Sequence, residues 1–296
     1  MVTMDQPIPS IRDLRPICQK PAAFETVRYA RYIVRPFSIY VTWLLLHTRV
    51  TANQVTVLQT VFGLWGAFLI GIGSRPAGVL VGLAAVHIGY LLDCVDGEIA
   101  RYRRQSSIFG VFFDYLNHSL VTPALFWGAA FFAYRSSGDV WGIFLLMTGI
   151  TLLIANPTKH AVVTTVHHLF ERRANPSYRV PSQRMGGPTD TGGFDRERGS
   201  WMFQMLQGIA DYPGNMLVLS AALIVELLVP FRGGLVIGVL AAYLLLYVGR
   251  ELYTFAVTVR RHRVERLYAT FRSIPLTPST PVTDREPPGT TAGTDG

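Results

Sequence analysis

Long apolar stretches separated by short polar segments dominate this chain of 296 residues. Six of the stretches approach or exceed the ~20 residues that an α-helix needs to cross the hydrocarbon core of a bilayer. These stretches cover residues 54–74, 76–98, 108–133, 140–166, 212–231 and 233–256. The pattern therefore predicts an all-α fold, that of a polytopic membrane protein with six transmembrane helices.

Residues 24–48 precede the first of these spans and combine basic with apolar side chains. Helical spacing would place three arginines on one face and three apolar side chains on another, namely Arg28, Arg31 and Arg35 against Tyr29, Ile33 and Phe37. This arrangement predicts an N-terminal amphipathic helix that lies on the membrane surface. The alternative is a seventh span over 33–47, although Arg35 near its start and Arg49 at its end weigh against it.

The overall composition favours a membrane domain over a water-soluble one. Hydrophobic residues make up 50% of the chain, charged residues only 16%, and the mean hydropathy is +0.30. A soluble domain carries about 25% charged residues. The two cysteines, Cys18 and Cys94, are far apart in sequence, so no disulfide framework is expected.

The two ends of the chain differ from this apolar centre. Residues 1–23 contain neither an apolar segment nor a small-residue cleavage site, so we expect an N-terminal cytoplasmic segment without a cleaved signal peptide. Residues 273–296 are rich in Pro, Thr and Gly, and we expect a disordered tail. The membrane domain is then expected over residues 24–272.

Positive charge is distributed unequally between the two sides of the predicted membrane domain. The chain has a net charge of +8, and six spans put both termini on one side. All but three of the 27 Lys and Arg lie on that side, the exceptions being Arg75, Arg135 and Arg232. The positive-inside rule therefore predicts that both termini, the 93–118 region and the 167–211 loop are cytoplasmic. The basic residues would then set the orientation of the protein in the membrane and contact anionic lipid headgroups. No nucleic-acid partner is expected.

Two neighbouring spans carry an unusual set of polar residues between positions 93 and 118. Each acidic side chain in a membrane span costs roughly 2.5–3.5 kcal/mol on insertion, so such residues need a partner or a function. A helix over 76–104 would align one stripe, formed by Asp93, Asp96, Gly97, Ala100 and Arg101. The following helix would align a second stripe, formed by Gly110, Asp114 and His118. A short connection would make the two helices antiparallel neighbours, and their converging carboxylates would then need divalent metal ions to balance their charge.

This run resembles the signature of the CDP-alcohol phosphotransferase family of integral membrane enzymes, also called CDP-alcohol phosphatidyltransferases. The signature reads D-x2-D-G-x2-A-R-x8-G-x3-D-x3-D. Seven of its eight fixed positions are filled here with the spacing intact, by Asp93, Asp96, Gly97, Ala100, Arg101, Gly110 and Asp114. The eighth position, an aspartate in the family, is His118. The preceding segment 51–56, with Asn53 and Thr56, is similar to the start of the family's first span.

The resemblance implies both an activity and a cofactor. It implies that Asp93, Asp96 and Asp114, with His118 at the fourth position, hold one or two divalent ions. Oxygen ligands and a phosphate substrate favour Mg²⁺ or Mn²⁺ over zinc. The implied donor-binding residues are Asp96, Gly97, Ala100, Arg101 and Gly110, together with Asn53 and Thr56. The implied reaction transfers a substituted phosphoryl group, most simply phosphatidyl from CDP-diacylglycerol, to an alcohol and releases CMP in phospholipid biosynthesis.

His118 is the departure from the family pattern, and it leaves three outcomes open. A neutral imidazole is a competent general base near pH 7, although it is a poorer ligand for Mg²⁺ than a carboxylate. In the first outcome His118 is the catalytic base beside Asp114, with one metal ion fewer. In the second another residue, such as Glu98, is the base. In the third the chain binds nucleotide without turnover.

Basic residues in and after the later spans predict where the acceptor alcohol binds. In family members that use phosphorylated acceptors such residues bind the acceptor phosphate, which indicates Lys159, Arg250 and Arg172 here. The alternative is that these side chains extend to the membrane interface, or that Arg250 pairs with Glu251. Residues 96–101 and 105–107 are most similar to the branch that uses inositol phosphate, so a polyol phosphate is the expected acceptor.

Two other functions stay open from the sequence. A catalytically silent membrane protein of the same fold would bind nucleotide or lipid, and His118 is the feature that favours it. A transporter would show inverted symmetry with broken helices near the midplane, whereas the acidic stripe here is shallow and confined to one helix pair. The resemblance also suggests a homodimer.

Overall fold

A computed structural model describes the chain at residues 8–19, 29–104, 108–154, 158, 160–163, 208–229, 231–264 and 266–267. The regular elements in these ranges are all helical, which confirms the all-α prediction. They are α1 Ile11–Cys18, a π-helical turn Ala30–Val34, α2 Arg35–Leu46, α3 Ala52–Ile72, α4 Pro76–Tyr102, α5 Ile108–Ser137, α6 Val140–Ile154, α7 Gly214–Leu228 and α8 Gly234–Arg260.

Three of the described helices, α3, α4 and α8, are long and apolar enough to cross a membrane. Helix α5 has 30 residues, whereas α6 and α7 are apolar but have 15 residues each. The order of these helices matches that of the predicted spans. A topology with six complete spans and cytoplasmic termini nevertheless stays a prediction.

Thr51 and Gln54 start α3 as a capping box. The backbone N–H of Gln54 donates to the Thr51 hydroxyl oxygen at 3.3 Å, and the backbone N–H of Thr51 donates to the Gln54 side-chain oxygen at 2.9 Å. Each bond satisfies a donor that a helix end leaves unpaired. The cap fixes Ala52 as the first residue of α3, and with it the face on which Thr56 and Gln59 lie.

The backbone of α3 packs closely against both α4 and α5. On the α4 side, a Cβ added to Gly66 would lie only 2.6 Å from the carbonyl oxygen of Gly82. On the α5 side, a Cβ added to Gly128 would overlap the carbonyl oxygen of Ala67. Small residues on both faces of α3 thus let three backbones approach, as is common for helices in membranes.

This packing corrects one prediction about α4 and α5. The spacing of the motif predicted direct antiparallel neighbours, but within the described residues the two helices make few direct backbone contacts. Helix α3 packs against both, because its glycines fit α4 and α5 through different faces. Side chains of α4 and α5 still meet in a groove between the two helices, and side chains of α3 are hydrogen-bonded to both.

Substitution of Gly66 by alanine is expected to destabilise the protein by about 1–3 kcal/mol, because the added methyl group forces α3 and α4 apart. The thermal midpoint of the detergent-solubilised protein would measure this loss. Gly238→Ala on α8 is the matched control, since a Cβ there meets nothing within 4 Å and alanine has the higher helix propensity. Equal midpoints for the two variants would contradict the close packing of α3 on α4.

Helices α1 and α2 pack against α4 through a separate apolar cluster. Its buried members are Leu14, Cys18, Ile39, Leu46, Val55, Leu92, Val95 and Ile99. The sequence did not predict α1, because a helix of eight residues interrupted by Pro16 shows little periodicity. The predicted surface helix over 24–48 corresponds to the π-helical turn and α2, while residues 20–28 lie outside the described ranges. Its location on a membrane surface stays a prediction.

Glu98 on α4 is fully buried among polar side chains of the N-terminal segment. The hydroxyls of Ser38 and Thr42 on α2 each donate a 2.6 Å hydrogen bond to its carboxylate, and Gln19 donates a third at 3.0 Å. Nη1 of Arg35 lies 3.9 Å from the same carboxylate. A buried carboxylate with this many donors serves to hold α2 on α4, which weakens the alternative that Glu98 is the catalytic base.

Substitution of Glu98 by alanine is expected to cost about 3 kcal/mol of stability, because it leaves three donors and the Arg35 guanidinium without their shared acceptor. Thermal unfolding followed by intrinsic fluorescence would measure the loss. Glu98→Gln keeps one oxygen acceptor and is expected to lose less. The folded fraction of either variant should retain its activity. A Glu98→Gln variant that is as stable as the wild type but inactive would instead indicate a catalytic role.

Candidate functional site

Two carboxylates and one imidazole converge in the groove between α4 and α5. Nε2 of His118 lies 3.4 Å from Oδ1 of Asp114, one turn earlier on α5, and 3.7 Å from Oδ1 of Asp93 on α4. One ligand atom from each residue lies within 4.8 Å of the others. Asp93 is 20% exposed and Asp114 is 55% exposed, so a ligand can reach the cluster from its open side.

The chemistry of this cluster fits a divalent cation. Two carboxylates held this close repel each other, and a cation between them would offset that repulsion. Carboxylate oxygens are the ligands that Mg²⁺ and Mn²⁺ prefer, and an imidazole nitrogen is also acceptable to transition metals such as Mn²⁺. The described residues therefore supply a set of groups that could hold the metal ion that the sequence predicts.

Polar side chains on one face of α3 hold the acidic residues in place. Thr56, Gln59 and Thr60 stand at i, i+3 and i+4, which puts them on one face of the helix. The Thr56 hydroxyl donates to Oδ2 of Asp96 at 2.6 Å, and Nε2 of Gln59 donates to Oδ1 of Asp93 at 2.7 Å. Oγ of Thr60 lies 2.8 Å from Oδ1 of Asn117, the residue before His118. Helix α3 is thus bonded to both walls of the groove.

The other predicted ligands of the metal and donor lie around this cluster. Asp96 is not in the group of three converging ligand atoms, and its carboxylate is instead bonded to Thr56. Asn53 lies in the first turn of α3, and Gly110 lies one turn before Asp114 on α5. Ala100 lies one turn after Asp96 on α4. These positions are near the same end of the three helices, and the roles of the residues stay predictions.

Arg101 is oriented by the N-terminal helix. Its Nε donates a hydrogen bond to the carbonyl oxygen of Cys18, the last residue of α1. Its terminal nitrogens lie beside Gly97, where an added Cβ would be 3.2 Å from Nη1. Burial, with the Glu98 carboxylate nearby, raises the pKa of the Cys18 thiol to about 12, so this thiol stays protonated at neutral pH. Helix α1 therefore contributes structure, not thiol chemistry, to this end of the groove.

A comparison with known families adds to this geometry. A family model for CDP-alcohol phosphatidyltransferases matches residues 49–195, a range that contains α3 to α6 and the whole acidic cluster. The chain belongs to the CDP-alcohol phosphatidyltransferase family. No curated protein matches it in sequence. Membership implies phosphatidyl transfer from a CDP-linked alcohol in phospholipid synthesis, and together with the three long apolar helices it indicates an integral membrane protein.

The residues predicted to bind an acceptor alcohol are only partly described. Lys159 and Arg172 lie outside the described residues. Arg250 on α8 is mostly buried; its Nη2 donates to the carbonyl oxygen of Leu153 at 2.6 Å and lies 3.6 Å from the Glu251 carboxylate. Its Nη1 lies 3.9 Å from Asp211. The pairing with Glu251 that the sequence left open is therefore present, and a role in acceptor binding stays a prediction.

Tyr212, which the sequence did not predict, lies between the acidic cluster and the Arg250 region. Its ring packs edge-on against His118, with 5.3 Å between ring centroids, and a second edge contact, also at 5.3 Å, joins it to Tyr90. Its neighbour Asp211 faces Arg250. No sequence pattern could place Tyr212 there, because it is far from His118 in sequence. Gln59 and Thr60 could have been found, because polar residues at helical spacing stand out in an apolar span.

Proposed function

We propose that the chain catalyses metal-dependent transfer of a phosphatidyl group from CDP-diacylglycerol to an alcohol, with release of CMP. The observation that carries the proposal is the convergence of Asp93, Asp114 and His118 inside the region that matches the family. The groove lies among apolar helices, so the acyl chains of a lipid donor can remain in the bilayer while its headgroup reaches the cluster.

The acidic residues hold the cation in this proposal. Asp93 and Asp114 supply oxygen ligands from opposite walls, and Asp96, bonded to Thr56, lies one turn from Asp93 on the donor side. When bound, Mg²⁺ or Mn²⁺ supplies positive charge beside the pyrophosphate and so stabilises the negative charge of the departing CMP. Arg101, with its Nε fixed by Cys18, directs its terminal nitrogens to phosphate oxygens.

His118 is the general base in this proposal. A nitrogen that binds the cation cannot also take a proton, and carboxylates are better ligands for Mg²⁺ than imidazole is. As the acceptor oxygen bonds to the phosphorus that carries the lipid, its proton passes to Nε2 of His118, and the bond from that phosphorus to the CMP oxygen breaks. The imidazolium so formed is stabilised by the Asp114 carboxylate, 3.4 Å away.

The acceptor in this proposal is a polyol phosphate whose phosphate is bound by Arg250, Lys159 and Arg172. Arg250 lies on the Tyr212 side of His118, where an acceptor hydroxyl would approach the base. We also propose cytoplasmic termini, an N-terminal helix on the membrane surface and a homodimer. Support for the surface helix comes from Phe37 and Leu44, which are 65% and 61% exposed on the face of α2 opposite the core.

Identification of the lipid product tests this proposal. Purified protein in nanodiscs would receive CDP-diacylglycerol, Mg²⁺ or Mn²⁺, and in turn inositol phosphate, glycerol phosphate, inositol or serine, with the new lipid measured by mass spectrometry. We expect a product from a polyol phosphate, and a raised acceptor KM in Arg250→Gln. Binding of CDP-diacylglycerol without any product would contradict the proposal and favour the catalytically silent alternative.

A further inference from the structure

The side chain of Gln59 is buried on α3, the helix that contacts both walls of the groove. It is 3% exposed, and its Nε2 donates a 2.7 Å hydrogen bond to Oδ1 of Asp93. The same Oδ1 lies 3.7 Å from Nε2 of His118. The bond from Gln59 therefore acts on the same Asp93 oxygen that lies near His118.

Close packing of the two helices lets the Gln59 amide reach Asp93. A Cβ added to Gly89, one turn before Asp93 on α4, would lie 3.2 Å from the backbone carbonyl oxygen of Gln59. A larger residue at Gly89 would push α3 outward and lengthen the hydrogen bond. The amide and the carboxylate are thus brought together by the backbone, which leaves little freedom for either side chain.

The second polar atom of Gln59 argues against a role in packing alone. Its Oε1 is buried and has no hydrogen-bond partner among the described residues. A buried polar atom in this condition costs about 1–3 kcal/mol, which an apolar side chain of similar size would avoid. The hydrogen bond from its N–H to the Asp93 carboxylate therefore explains why an amide side chain stands at this position.

We propose that Gln59 is a positioning residue that orients the Asp93 carboxylate and so sets the affinity of the cluster for its divalent cation. This inference rests on the proposed function. By donating to Oδ1, Gln59 fixes the plane of the carboxylate and leaves the remaining lone pairs directed into the groove. Partners of this kind typically change metal affinity or activity by 10–100-fold when they are removed.

Gln59→Met removes the donor with little change in size, and Gln59→Asn keeps the amide but shortens it beyond reach of Asp93. Mn²⁺ binding measured by electron paramagnetic resonance, without turnover, should weaken about 10-fold in both variants. The Mn²⁺ concentration for half-maximal CMP release should rise equally, with kcat at saturating metal nearly unchanged. Thr42→Val is the matched control, because it removes a hydrogen bond of 2.6 Å to another carboxylate of α4, the buried one of Glu98.

The control separates positioning from folding. Thr42→Val should lower the thermal midpoint and leave Mn²⁺ affinity unchanged. Wild-type Mn²⁺ affinity in either Gln59 variant, or the same affinity loss in Thr42→Val, would overturn the inference while leaving the proposed function intact. A wild-type protein that neither binds Mn²⁺ nor releases CMP would overturn both.

Discussion

Replacement of Asp93 by asparagine is expected to reduce CMP release about 1,000-fold. Asparagine keeps the size of the side chain but removes the charge that faces Asp114 and His118 across the groove. A bound cation is expected to stabilise the transition state by about 4 kcal/mol. Because each 1.36 kcal/mol lost lowers the rate about tenfold, loss of the cation lowers the rate about 1,000-fold. The measurement is the initial rate of CMP release at saturating CDP-diacylglycerol, with Mg²⁺ or Mn²⁺ varied.

Asp139→Asn is the control for this prediction. Asp139 is exposed and its carboxylate accepts a 3.0 Å hydrogen bond from the backbone N–H of Gly142, at the start of α6. The same chemical change there should leave the rate of CMP release within about twofold, because surface substitutions have small effects. An Asp93→Asn variant with wild-type turnover would show that the metal is held elsewhere.

Replacement of His118 by alanine is expected to lower kcat by about 100- to 10,000-fold, the usual contribution of a general base. Binding of CDP-diacylglycerol should survive, because the donor contacts Asp96, Gly97 and Arg101 in the proposed arrangement. The measurement pairs single-turnover CMP release with donor binding by the same preparation. Unchanged turnover in this variant would remove His118 from the mechanism.

Two further substitutions define the role of His118. His47→Ala, at an exposed position on the end of α2, should behave as wild type. His118→Asp restores the residue that the family signature has at this position, and we expect it to be active. If the wild type binds the donor without turnover and the His118→Asp variant is active, the chain is a catalytically silent member of the family.

The sequence predicted the acidic residues that meet in the structure because their positions depend on local helix geometry. Asp114 and His118 are four residues apart on one helix, so their proximity follows from helical spacing. Asp93 joins them because a short connection returns the chain to the same end of the domain. The apolar pattern likewise predicted the order of the long helices, since burial and lipid contact both need continuous apolar stretches.

The features that the sequence did not predict depend on contacts between distant segments. Whether Gly66 faces α4 and Gly128 faces α3 is decided by how several helices pack together, so the position of α3 between its neighbours could not be predicted. The contact of Arg101 with α1 could not be predicted for the same reason, since nothing in the sequence near Cys18 indicates that it pairs with a residue so far along the chain. An acidic residue within the motif was also ambiguous: Glu98 lies two residues from Asp96 yet faces α2.

Metal dependence of CMP release by the purified wild-type protein is the decisive test of metal-dependent phosphatidyl transfer. The protein in nanodiscs would receive CDP-diacylglycerol and a polyol phosphate, with Mg²⁺ or Mn²⁺ in one arm and a chelator in the other. We predict CMP release that needs both the metal and the alcohol, and that returns when metal is added back to the chelated sample. CMP release that persists in the chelator, or no release despite bound CDP-diacylglycerol, would contradict the proposed reaction.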